Sequence, residues 1–126
     1  MPTVAFDFDG VVHQYVSGWE SYEVVLDPPI KSTVRAIEKL RKLGYKVVIF
    51  SARSRHPNGN KAMLDWLEKY GIEVDEVCSD KPLAQIYFDD RAVQFVPGMD
   101  IVSTVRKFRP WNKDRVLVQR VIHDEV

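Results

Sequence analysis

Several features that would assign this 126-residue sequence to a special class of protein are scarce or missing. Cys78 is the only cysteine, which excludes an intrachain disulfide, and the three histidines lack the Cys/His spacing of a zinc site. No apolar run approaches the roughly 18 residues that span a bilayer, and the N-terminus lacks a signal-peptide pattern. We therefore expect a cytoplasmic protein with no membrane partner.

Charge of one sign is also not in excess, because 18 basic residues balance 18 acidic ones. The overall charge does not favour a nucleic-acid or membrane-surface partner. No internal repeat or low-complexity segment interrupts the chain, and its length suits one domain. We expect that domain over residues 1–111 and a C-terminal tail over residues 112–126, where the pattern is compatible with helix or strand.

Strand-like and helix-like stretches alternate along the chain. The patterns predict strands over residues 4–8, 45–50, 72–78 and 84–88, and helices over residues 30–43, 62–70 and 100–108. Such alternation predicts an α/β fold: a Rossmann-like three-layer sandwich with a mainly parallel central sheet and helices on both faces. The irregular, aromatic residues 11–27 are expected to form a short hairpin flap.

Polar side chains follow each predicted strand, and in a parallel sheet these strand ends share one crevice. Asp7 and Asp9 lie two residues apart, so they project to the same side while the strand holds. The other strand ends carry Ser51 and Arg53, Asp80 and Lys81, and Asp89 and Asp90.

Several carboxylates meeting in that crevice need a cation. Two such charges about 4 Å apart repel by roughly 4 kcal/mol at an effective dielectric of 20. Oxygen ligands without His or Cys select a hard ion, and a small open site suits Mg²⁺. The predicted metal residues are Asp7, Asp9, Asp89 and Asp90, and which of the last two is the direct ligand stays open.

Four motifs together resemble those of the haloacid dehalogenase (HAD) superfamily. DFDGV at residues 7–11 resembles its nucleophile motif, VVIFS at 47–51 its second motif, and IYFDDRA at 86–92 its acidic fourth motif. Lys81 in SDKP matches the basic third motif, although it precedes Asp89 by only eight residues, so Lys61 is the alternative. The chain is similar to small bacterial and phage members that have no cap domain.

The resemblance implies a role for each matching residue. Asp7 would attack phosphorus and form an aspartyl-phosphate. Asp9 would act as general acid and base, with a pKa above that of a free aspartate, and its backbone carbonyl would join the metal ligands. Ser51 would donate a hydrogen bond to a phosphoryl oxygen, and Lys81 would neutralise the charge on the transferred group.

The implied function is a magnesium-dependent phosphohydrolase acting on a phosphate monoester. A nucleotide phosphate is the first expected substrate, a sugar phosphate the second and a polynucleotide end the third. Arg53 and Trp19 are predicted to contact that substrate. No room remains for a cap, so the site is expected to be open. It would accept either a phosphate on a large molecule or a small molecule that a second subunit or the flap covers. A phosphotransferase and a non-catalytic phosphate- and Mg²⁺-binding regulatory domain are the alternatives. His13 and Cys78 are interpreted as structural, with no partners that suggest a dyad.

Overall fold

Four parallel β-strands form one sheet in the computed structural model, which describes residues 2–112. The strands are β1 (Thr3–Asp7), β2 (Lys46–Phe50), β3 (Glu76–Cys78) and β4 (Ile86–Phe88), and their spatial order is β3-β2-β1-β4. Every strand pair is parallel. The predicted α/β class with a parallel sheet is confirmed, and the predicted tail from residue 113 onward lies outside the described residues.

Three α-helices accompany the sheet: α1 (Lys31–Lys42), α2 (Pro57–Lys69) and α3 (Ile101–Lys107). A short 3₁₀ turn, Ala52–Arg55, joins β2 to α2. The third strand is shorter than residues 72–78, for a local reason. Ile72 donates its N–H to Leu67 at the end of α2, and the Asp75 carboxylate accepts the N–H of Val47 at 2.7 Å. Side-chain pairing thus precedes the β3 ladder.

The main buried cluster lies on one face of the sheet, between the strands and the first two helices, and Ala5 and Val48 are buried on the other face. Phe6 and Ile49 are register partners on β1 and β2, and both belong to this core. Ile37 of α1 and Met63 of α2 pack into the same cluster. No residue of α3 is buried, so within residues 2–112 helical cover of both faces is not seen.

The aromatic segment that was expected to be a hairpin flap has no strands of its own. We call residues 14–27 the 14–27 loop. Its base is closed by a single bridge between His13 and Pro29, and the Asp27 carboxylate accepts the N–H of Ser17 at 2.8 Å. Trp66 of α2 donates its indole N–H to the Asp27 carbonyl at 2.9 Å. The loop is therefore packed by hydrogen bonds rather than by a β-ladder.

The strand order sets the position of the crevice. The chain runs outward from β1 to β2 to β3 and then returns to the opposite side of β1 to form β4. In open parallel sheets, ligands bind at the strand ends where the order reverses. Phe6 pairs with Phe88, so the residues that follow, Asp7 and Asp89, leave the two strands side by side at this point.

Candidate functional site

Three carboxylates meet where β1 and β4 end. Asp7, Asp89 and Asp90 each place one ligand oxygen within 4.8 Å of the others. Backbone hydrogen bonds hold two of them: Phe8 donates its N–H to Asp7 Oδ1, and Arg91 donates its N–H to Asp89 Oδ1, both at 2.9 Å. The predicted convergence of the strand ends therefore brings both members of the 89–90 pair to Asp7.

Asp90 is the least satisfied of the three carboxylates. Its side chain is 1% exposed, and neither oxygen accepts a hydrogen bond from a donor within residues 2–112. The nearest cation, Arg91 Nε, lies 3.9 Å away. Burial raises the pKa of Asp90, while the Arg91 charge lowers it and the Asp89 charge raises it further. A buried carboxylate without donors is expensive unless a cation binds it.

The surroundings of Asp7 also disfavour its charged form. Burial, followed by the charges of Asp89, Asp90 and Asp9, raises the pKa of Asp7 to about 8. At neutral pH the cluster therefore favours a proton on Asp7 over a third negative charge. A divalent cation would replace that proton and restore the carboxylate form.

Gly10 packs against the Asp90 carboxylate, and Asn112 lies beside Gly10. Gly10 has a φ of +89°, and a Cβ there would overlap Asp90 Oδ2 and lie 3.2 Å from Asn112 Nδ2. The Asn112 amide is buried, and its oxygen and nitrogen have no hydrogen-bond partner in the described chain. Trp111 donates its indole N–H to the Gly10 carbonyl at 2.7 Å. Sequence reasoning missed Asn112, because nothing in its surroundings links it to a strand more than 100 residues earlier.

Asp9 is separated from this cluster by its own partners. His13 Nδ1 lies 2.8 Å from Asp9 Oδ1, and Arg53 Nε lies 2.9 Å from Asp9 Oδ2. Burial alone would raise the pKa of Asp9, but these hydrogen bonds and the Arg53 charge lower it below the ordinary value. The expectation of a raised pKa at Asp9 is therefore wrong. Its side chain does not belong to the group formed by Asp7, Asp89 and Asp90.

His13, interpreted from the sequence as structural, has partners on both ring nitrogens, and one of them is Asp9, which sequence reasoning did not suggest as a partner. Nε2 accepts the N–H of Asp27 at 3.0 Å, so Nδ1 carries the ring hydrogen and donates it to Asp9. The spacing of four residues between Asp9 and His13 was the signal in the sequence. The ring thus fixes both the Asp9 carboxylate and the end of the 14–27 loop.

Ser51 follows β2 and lines a pocket of about 200 Å³ beside the acidic cluster. Its Oγ accepts the N–H of Arg53 at 3.2 Å, which leaves the hydroxyl hydrogen available to donate into the pocket. The other lining residues are Asp7, Asp9, Tyr15, Trp19, Ala52, Arg53 and Arg91. The structure thus brings Ser51 together with the two predicted catalytic aspartates.

Arg53 and Trp19, the predicted substrate contacts, also contact each other. The Arg53 side chain is 1% exposed, and its Cζ lies 4.6 Å from the centroid of the Trp19 ring. Arg53 Nη1 donates to the backbone carbonyls of Ser21, Tyr22 and Val24 at 3.0, 3.0 and 2.9 Å. Direct contact with substrate stays a prediction for both residues, but these guanidinium donors are directed at the protein.

Neither candidate lysine is among the residues that line this pocket. Lys81 Nζ lies 4.6 Å from the centroid of the Tyr87 ring and 5.8 Å from that of Phe50, the last residue of β2. Lys61 Nζ is 2.7 Å from Asp65 on the exposed surface of α2. The phosphate-binding role of a lysine therefore stays a prediction, with Lys81 lying beside the strand end that leads into Ser51.

A second pocket, of about 700 Å³, lies at the opposite edge of the sheet. It is lined by residues that flank the amino ends of the strands, among them Arg41, Lys46 and Asp75. Arg41 forms exposed contacts of 3.2 Å to Glu73 and 3.4 Å to Asp75. The charged residues of this pocket form ordinary exposed ion pairs, and none of them belongs to the group of carboxylates formed by Asp7, Asp89 and Asp90.

None of the helices within residues 2–112 has the length and apolar character needed to cross a bilayer. Comparisons with protein-family models, with curated proteins and with solved structures found no match to this chain.

Proposed function

We propose that this protein is a magnesium-dependent phosphohydrolase that acts through an aspartyl-phosphate on Asp7, within a capless, HAD-like version of a Rossmann-like sandwich. The observation that carries the proposal is the meeting of Asp7, Asp89 and Asp90 at the reversal point of a parallel sheet. The donor-free, buried carboxylate of Asp90 supports a cation as the missing partner.

The residues present fit a hard divalent cation. Asp7, Asp89 and Asp90 would hold it through carboxylate oxygens, the donor type that Mg²⁺ prefers. When bound, the ion would neutralise the cluster and polarise a phosphoryl oxygen. Both Asp89 and Asp90 are available as ligands, and the burial of Asp90 makes it the stronger candidate.

The protein's own residues supply the two chemical steps. An Asp7 carboxylate oxygen attacks phosphorus, and the substrate's leaving oxygen departs with the electron pair of the broken P–O bond. A water molecule then attacks the phosphorus of the aspartyl-phosphate, gives its proton to Asp9, and releases phosphate with regeneration of the Asp7 carboxylate. The lowered pKa of Asp9 keeps this carboxylate ionised and so able to accept the proton, and it disfavours the protonated form that a general acid needs. The Ser51 hydroxyl would donate to a phosphoryl oxygen.

Pocket size favours a small phosphorylated molecule as substrate. A space of about 200 Å³ accommodates a phosphoryl group and a modest part of what carries it, with Tyr15 and Trp19 as aromatic walls. A nucleotide phosphate is the first candidate, since its base or sugar can stack on the half-exposed Trp19 ring. The proposal also includes two further candidate substrates, a sugar phosphate and a polynucleotide end. It includes a second subunit as a possible cover of the site.

Hydrolysis of an aryl phosphate with and without Mg²⁺ tests the proposal. The wild type should release phosphate only with the metal, and Asp7→Asn should abolish release. Asp80→Asn is the matched control, because Asp80 follows the neighbouring strand β3 but is 81% exposed and pairs with Arg55. Full activity in Asp7→Asn would exclude the covalent mechanism. Activity that a chelator leaves unchanged would exclude the metal.

A further inference from the structure

We infer that Arg53 is a positioning residue that fixes the 14–27 loop against the candidate active site and orients Asp9 with the same guanidinium group. The turnover part of this inference rests on the proposed function. The structural part concerns the loop alone and is tested without substrate.

Arg53 joins two parts of the chain that have no strand pairing with each other. On one side, Nε donates to Asp9 Oδ2 at 2.9 Å, directly after β1. On the other side, Nη1 lies 2.9–3.0 Å from three carbonyl oxygens of the 14–27 loop, those of Ser21, Tyr22 and Val24. A buried guanidinium whose Nε and Nη1 donors face a carboxylate and three carbonyls recovers much of the hydrogen bonding that it loses on leaving water.

This geometry requires the fork of an arginine. The Nε and Nη1 donors are held in one plane at a fixed separation, so one side chain reaches the carboxylate and the carbonyls together. A lysine ammonium is a single point and can serve one side or the other. Replacement of Arg53 by lysine therefore keeps the positive charge at position 53 and removes the donor geometry.

Trp19 and Tyr22 place the loop on the same group. Trp19 packs its ring over Arg53, and Tyr22 contacts it edge-on with centroids 5.0 Å apart. The Tyr22 ring also stacks on His56 at 3.7 Å, next to the start of α2. The aromatic wall of the pocket thus depends on where Arg53 holds the loop.

Gly59 of α2 shows how closely the parts fit. A Cβ at this position would overlap the backbone oxygen of Arg53 and lie 3.1 Å from the carbonyl oxygen of Tyr22. The methyl group added by Gly59→Ala would therefore push the Arg53 backbone and the 14–27 loop away from α2, without altering any charge. This substitution offers a second variant that acts on the same contact.

Two variants and two controls test the inference. Arg53→Lys and Gly59→Ala are compared with Arg55→Lys, because Arg55 lies in the same 3₁₀ turn but is 61% exposed and pairs with Asp80. Glu68→Ala, an exposed change on α2, is the control for Gly59→Ala. Circular dichroism first establishes that each variant is folded. Chymotrypsin cleavage after Trp19 and Tyr22, identified by mass spectrometry without substrate or metal, then reports loop opening.

A positioning role predicts that both test variants are cleaved in the loop at least about tenfold faster than wild type, while both controls are not. With an aryl phosphate, kcat should fall about tenfold or more, with KM changed less than about threefold. An Arg53→Lys variant with wild-type loop cleavage and a raised KM would overturn the inference in favour of direct substrate contact. Unchanged cleavage in both test variants would also overturn it, whether or not the wild type proves to be a phosphatase.

Discussion

The carboxylate of Asp90 occupies the space that a side chain at Gly10 would need. Gly10 lies after β1 and Asp90 after β4, so this contact joins the two strand ends that frame the candidate metal site. Two features require a glycine at position 10: its φ of +89°, and the Asp90 oxygen that fills the space of a Cβ. The relationship makes position 10 a sensitive test of the site.

Gly10→Ala should weaken Mg²⁺ binding as well as the fold, because the added methyl group displaces Asp90. Gly18→Ala is the matched control: Gly18 has a φ of +79°, but a Cβ added there would meet no atom within 4 Å. Both changes carry the left-handed backbone cost of about 1–2 kcal/mol. Titration calorimetry with Mg²⁺ should show reduced affinity in Gly10→Ala alone, and equal affinities in the two variants would contradict the contact.

In the absence of divalent cations, the free energy of unfolding should fall as the pH rises from about 4 to 8. Burial and neighbouring carboxylates raise the pKa of Asp7 to about 8 in the folded protein, against 3.8 for the free group, so the folded state holds a proton that the unfolded chain releases. The contribution of Asp7 is fully present below about pH 4 and is lost as the pH approaches 8. Urea unfolding in a chelator measures it. The free energy of unfolding of Asp7→Asn should change less with pH over this range and should exceed that of the wild type at pH 8. That of Asp80→Asn should change with pH as the wild type does.

Asp89→Asn and Asp90→Asn should each lower Mg²⁺ affinity by more than about tenfold. Attraction between opposite unit charges about 4 Å apart is roughly 4 kcal/mol at an effective dielectric of 20, and each 1.4 kcal/mol is tenfold. Asp90→Asn should also stabilise the metal-free protein, because it removes a buried carboxylate without donors. Calorimetry and thermal unfolding measure the two effects. Wild-type affinity in either variant would remove that residue from the ligand set.

Ser51→Ala should lower kcat by about 10²–10³-fold, because it removes a donor aimed at the transferred phosphoryl group. Ser54→Ala, in the same turn, is the control, since its hydroxyl lies 3.0 Å from Asn60 Oδ1, and Ser54 is not among the residues that line the pocket. Steady-state rates with an aryl phosphate distinguish the two. Circular dichroism accompanies them, because Ser51 Oγ also accepts the Arg53 N–H. Equal rates in folded Ser51→Ala and wild type would remove Ser51 from the mechanism.

The amino-acid sequence by itself determined the α/β pattern and the strand ends at which polar side chains gather. Apolar stretches such as residues 47–50 predict buried strands because side-chain burial depends on local composition. Asp7 is the last residue of such a strand, and Ser51 and Asp89 lie directly after two others. The meeting of Asp7 with the 89–90 pair followed from one rule, that parallel strands end at a common edge.

Only the tertiary structure decided which partners each carboxylate has. Asp9 was expected to have a raised pKa from its place in a motif, but the pKa of a buried group depends on groups that arrive from elsewhere in the chain. Arg53 reaches Asp9 from 44 residues away, and Asn112 lies beside Gly10 from 102 residues away. Such contacts depend on how loops pack in three dimensions, and no periodicity or spacing in the sequence encodes that packing.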